Sequence, residues 1–75
     1  MRIVFSKHAI LKIGQRKIPK TFILITAEKP DYIGPTRLSR EVRYKKFKNY
    51  YMKVVVVKRI NLLVIITAHW VSKIK

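Results

Sequence analysis

Ser6 to Ile18 reads SKHAILKIGQRKI, and the fold turns on taking this stretch as a helix. Ser6 is a good N-cap, because its hydroxyl can accept a bond from a free backbone N–H of the first turn. His8, Lys12 and Arg16 recur at four-residue spacing, so on a helix they share one face. The other side is expected to set Ala9, Ile10, Leu11 and Ile13 against a core. Lys17 would fall in the middle of that apolar side, so the helix is predicted to end near Arg16.

Outward from this helix the chain divides into short, well-punctuated pieces. Met1–Phe5 (MRIVF) is rich in β-branched and aromatic residues and reads as a first strand. After the helix, Pro19 breaks the chain at Ile18 and suits a first helical position. TFILIT (Thr21–Thr26) has strand propensity, whereas the spacing of Pro19 and Pro30 favours a second helix over Pro19–Lys29. Pro30–Asp31 and Gly34–Pro35 bracket a short extended piece with Tyr32 and Ile33. Arg40–Lys48 alternates as a strand, Lys48–Asn49–Tyr50 is a turn, and Tyr51–Arg59 is a central strand, apolar on both faces at Val54–Val57. Ile60–Asn61 turns into Leu62–Trp70. There the even row (Leu62, Val64, Ile66, Ala68 and Trp70) is expected to face the helices. The predicted architecture is α+β with element order β-α-α-β-β-β, two helices packed on one face of a small antiparallel sheet. One domain, residues 1–75, is expected.

Charge limits the function. Eighteen Lys and Arg stand against three acids, Glu28, Asp31 and Glu41, for a net charge of +15. Such self-repulsion works against compactness, so a polyanionic partner is the natural reading: nucleic acid first, an acidic protein second, an anionic membrane third. The basic residues are interleaved with apolar ones, as in a folded domain with a basic surface. Cysteine is absent, which removes disulfides and thiolate metal sites and fits a cytoplasmic location. No apolar run approaches the ~20 residues that span a bilayer, and no basic amphipathic helix stands apart from the fold, so a membrane-surface role ranks last and no membrane partner is expected.

FSKHA near the start, an Arg eight residues after the His, Lys29–Pro30–Asp31, and VVVV–turn–LLVIITAHW resemble a small prokaryotic family of loosely defined function. That family is similar to BrnT-type toxins and, more distantly, to the RelE/ParE toxin superfamily. The pattern often has Arg where Lys12 stands and Tyr where His69 stands. The resemblance covers most of the chain and also favours a helix for Pro19–Lys29. It implies a RelE/BrnT-like fold and a toxin-type ribonuclease that works without metal on RNA, including ribosome-associated mRNA. It further implies an antitoxin-like acidic partner.

The residues allow that chemistry. Metal-free cleavage needs a base for the 2′-hydroxyl, an acid for the leaving 5′-oxygen and cations for the crowded phosphate. Paired carboxylates and a Gly-rich phosphate loop are both missing, which argues against two-metal and nucleoside-triphosphate chemistry. No metal or other cofactor is expected. Only His8 and His69 titrate near neutrality without a large shift. His69, near the end of the last strand, is the candidate acid or base, and His8 is expected to be structural. Arg43 and Lys45 project from one side of a strand and complete the candidate catalytic set. Lys12, Arg16 and Lys58 are candidate phosphate contacts, Tyr50 and Tyr51 candidate stacking residues, and Trp70 is expected in the core. The alternatives are a non-catalytic nucleic-acid-binding module and an inactive toxin-fold protein that docks an acidic partner.

Overall fold

The computed structural model describes residues 2–35 and 37–74. Its elements are β1 (Arg2–Phe5), α1 (Lys7–Arg16), α2 (Lys20–Glu28), β2 (Tyr32–Ile33), β3 (Arg40–Phe47), β4 (Tyr50–Lys58) and β5 (Leu62–Val71). The five strands form one sheet in the order β1-β5-β4-β3-β2. This is an α+β fold, as expected. The sheet, however, is mixed rather than antiparallel, because β1 runs parallel to β5 with Arg2 beside Leu62 and Phe5 beside Ile65. The two helices carry the chain across the sheet from β1 at one edge to β2 at the other, and three antiparallel steps then bring β5 back beside β1. The extended piece at Tyr32–Ile33 pairs with β3 as a short edge strand.

Local chemistry sets the helix ends. The Ser6 hydroxyl accepts the Ala9 N–H at 3.0 Å, which caps α1. At its other end Lys17 takes a left-handed φ of 54°. The Lys17 N–H then donates to the Gly14 carbonyl and the Ile18 N–H to the Ile13 carbonyl, both at 3.2 Å. Ile13 and Ile18 are buried in the same core, which completes a Schellman stop. Helix α2 ends ahead of Pro30, as predicted, but Pro19 is its extended N-cap rather than its first helical residue.

Both helices cover one face of the sheet. Ala9, Ile13, Ile18, Ile23 and Ala27 pack on Met52, Val54, Val56, Leu63, Ile65 and Ala68. Two expectations fail here. Ile10 and Leu11 are 53% and 56% exposed rather than packed. Only the Ala9–Ile13 stripe meets the sheet, because α1 lies chiefly along β5. In β5 the even row does not face the helices throughout. The β4 pairing passes from Val56↔Ile65 to Val55↔Thr67, so Ile66 is an extra residue at a bulge. A bulge reverses which side the following residues occupy. Leu63 and Ile65 point into the core before it, and Ala68 after it. Thr67 and His69 are thereby turned to the face that carries no helix.

Candidate active site

The register of β4 and β5 places Lys53 directly opposite His69 and Val55 opposite Thr67. Strand β1 ends at Phe5 beside Ile65, so it leaves the outer edge of β5 unpaired by any strand from Ile66 onward. Arg16, the last residue of α1, fills that gap. Its Nη1 donates to Thr67 Oγ1 at 3.1 Å and to the Ala68 carbonyl at 3.0 Å. The Schellman stop fixes where α1 delivers this guanidinium. An open cleft of about 450 Å³ lies over His69, walled by Tyr44, Lys53, Trp70 and the segment Val71–Lys73.

The electrostatics of this corner are one-sided. Burial pushes the His69 imidazole below its ordinary value near 6.5, and the charges of Lys53 and then Arg16 push it the same way. The ring is therefore neutral at pH 7 and keeps a free lone pair between two cations. That combination can accept a proton from a hydroxyl while the cations hold an anion beside it.

Arg43 and Lys45 lie elsewhere. Arg43 faces the helices and is 9% exposed. Its Nε and Nη2 donate to Glu41 Oε2 at 3.0 and 2.8 Å, and its Nη1 donates to the Ala27 carbonyl. The Lys45 ammonium donates to the Lys29 carbonyl at 3.1 Å and pairs with Asp31 at 3.3 Å. The Lys46 N–H and then the Lys45 ammonium hold the Asp31 carboxyl below its usual range. Helix α2 has no basic residue in its last turn, so these two strand cations complement its C-terminal carbonyls instead. The structure thus separates the expected trio: His69 stands on the open face, and Arg43 and Lys45 stand on the helix face.

The remaining candidates scatter. Lys12 is half-buried one turn before Arg16. Lys58 pairs with Leu63 at the far end of β4 from Lys53, about five residues or roughly 17 Å away. Tyr50 and Tyr51 point to opposite faces, as neighbours on a strand must. Tyr51 is half-buried beside Val71, and Tyr50 is 55% exposed at the hairpin tip opposite Phe47. His8 is exposed in the first turn of α1. Trp70, expected in the core, is 38% exposed at its rim. Lys53 and Thr67 were missed, although Lys53 is the one cation inside YYMKVVVVK, whose other lysine is its last residue, and so a visible oddity in a central strand.

Glu28, Asp31 and Glu41 are the chain's three acids. All three gather at the C-terminal end of α2: Glu28 is its last residue, Asp31 follows it, and Glu41 is tied to it through Arg43. No Asp or Glu lies on β4 or β5; Asp31 stands level with His69 but across the sheet, its N–H donating to the carbonyl of Tyr44, which pairs with Lys53 opposite His69. Among the described residues no group of His, Asp and Glu is placed to hold a metal ion, and no helix is long and apolar enough to cross a membrane. No family model, curated protein or solved structure matches the chain.

Proposed function

We propose that this chain is a toxin-like, metal-independent endoribonuclease of RelE/BrnT-like fold that acts on RNA in the cytoplasm. The observation that carries the reading is His69 set opposite Lys53 in the β4–β5 register, with the Arg16 guanidinium bound to Thr67 and the Ala68 carbonyl beside it. The SKHA start and the ITA-plus-aromatic ending, which resemble a small prokaryotic family similar to BrnT-type toxins, support it. His69 takes the 2′-hydroxyl proton, the 2′-oxygen attacks the adjacent phosphorus, and the phosphate charge is held by Lys53 and Arg16. The P–O5′ bond breaks, and the leaving oxygen takes a proton from the Lys53 ammonium or from water. The products are a 2′,3′-cyclic phosphate and a 5′-hydroxyl. Every step uses groups of the chain and water.

The test is incubation of end-labelled single-stranded RNA with the protein in EDTA at low salt, with and without ribosomes. Cleavage to cyclic-phosphate ends, and no cut at a 2′-deoxy position, is the expected result. RNA left intact in both settings refutes the proposal.

The helix-free face of the sheet favours a second reading. Val4, Val42, Val55, Val57, Leu62 and Val64 alternate onto it, and all are only half-buried. An antitoxin-like acidic protein would cover these residues and neutralise the basic rim. Under this reading an acidic peptide with alternating apolar residues raises the melting temperature and polyuridylate does not.

A further inference from the structure

Three aromatic rings meet where the first turn of α2 lies over the end of the sheet. Phe22 and Phe47 lie 4.9 Å apart at 80°, and Phe47 and Trp70 lie 5.9 Å apart at 87°. Phe22 also braces Trp70, at 5.4 Å. Edge-to-face packing of this kind fixes the orientation of each ring. The cluster is nevertheless not closed. Trp70 stays 38% exposed and Tyr50 55% exposed, and with Phe47 and the Lys48–Asn49 hairpin tip they wall a second cleft of about 450 Å³.

Trp70 belongs to both clefts: it walls this one and the one over His69. His69 and Trp70 are consecutive, with Cα atoms ~3.8 Å apart, and their side chains leave opposite faces of β5. A strand end that offers a cationic site on one face and an aromatic pocket on the other matches the two halves of a nucleotide. The cations suit the phosphate, and a braced, half-open indole suits a base. The Asn49 side chain carries both a donor and an acceptor for a base edge, and Lys48 adds charge for the flanking backbone.

We propose that Phe47, Tyr50 and Trp70 form a nucleobase subsite, which holds a base of single-stranded RNA next to the phosphate bound at His69. This rests on the ribonuclease reading for its phosphate and extends it with the substrate class: an unpaired strand whose base can leave its stack.

Trp70 is the only tryptophan in the sequence, so tryptophan fluorescence reports on the wall it gives to the two clefts, and the abasic strand separates a response to bases from one to phosphates. The experiment titrates the protein with a single-stranded 2′-deoxy oligonucleotide and, separately, with a fully abasic oligomer of equal length and charge. Cleavage cannot intervene in either. The base-bearing strand is expected to quench Trp70 and to bind about tenfold more tightly than the abasic one. Tyr50→Ala is expected to remove most of that advantage. Equal affinity for both strands with no quenching overturns the subsite. So does a fluorescence response to anionic lipid vesicles but to neither oligomer. The wild-type comparison stands without the variant. RNA cut in parallel despite equal affinities would refute the subsite and leave the ribonuclease. Base-dependent quenching with RNA left intact would do the reverse.

Discussion

Two corners of this small protein hold clusters of cations, and they use them in opposite ways. At the C-terminal end of α2, Arg43 and Lys45 are saturated by Glu41, Asp31 and the carbonyls of Ala27 and Lys29. At the end of β5, Arg16 and Lys53 flank His69, and Arg16 touches only a hydroxyl and a carbonyl. The chain carries +15 and concentrates its few acids at the first corner. The difference teaches that an Arg or Lys is a candidate for a ligand only after its carboxylates and helix ends are accounted for. A cation already paired holds the fold, and one left unneutralised can hold an anion.

The comparison breaks most easily by removing one group from each corner. His69→Ala is expected to lower RNA cleavage by at least ~100-fold, as loss of a general base does, while the melting temperature moves by only a few degrees. Arg43→Ala is expected to act the other way. It leaves Glu41 without its partner in a site where both side chains are little exposed, 11% and 14%, and should cost about 3 kcal/mol in denaturant unfolding. Its cleavage rate, compared at equal folded fraction, should match the wild type. The double change Arg43→Met, Glu41→Met should recover most of the loss, because the unpaired buried charge is gone.

Smaller changes sharpen the contrast. Arg16→Ala is expected to cost ~1 kcal/mol by freeing the Ala68 carbonyl and to slow cleavage roughly tenfold, since this cation serves both ends. Lys45→Ala should lower the melting temperature only slightly, because its partner Asp31 is solvent-exposed and the pair is screened, and should leave cleavage unchanged. Acidification should weaken the fold through both corners. The depressed His69 makes the unfolded chain the better proton acceptor, so its contribution is lost as pH falls below about 6.5. The depressed Asp31 contributes above about 3.8, and that contribution is lost as pH falls further. Melting curves between pH 8 and pH 3 check both signs.

Much of the fold was legible because its signals are local. Ser6 as a cap, Arg16 as a helix end, Pro19 and Pro30 as brackets and the turns around Asn49 and Asn61 are all set by neighbours in sequence. What was missed depends on pairing. No sequence pattern announces that β1 lies parallel to β5, since that depends on the chain re-entering the sheet at the far edge, at β2, after the two helices. The bulge at Ile66 is invisible in LLVIITAHW, where every even position is apolar, yet it decides which residues share a face with His69. The candidate site was half legible for the same reason. His69 and Arg16 were found by residue type, but Lys53 enters only through the β4–β5 register. Arg43 was misplaced because its two partners, Glu41 and the Ala27 carbonyl, come together only once α2 lies across β3.

The claim that the β5 corner is an unneutralised cationic site is tested most directly by the NMR titration of His69, assigned with His69→Ala and followed in wild type and Lys53→Ala. The account predicts a wild-type midpoint below 6.5 that rises when Lys53 is removed. A midpoint at or above 6.5 would mean a well-solvated ring or a carboxylate beside it, and would contradict the contrast between the two corners.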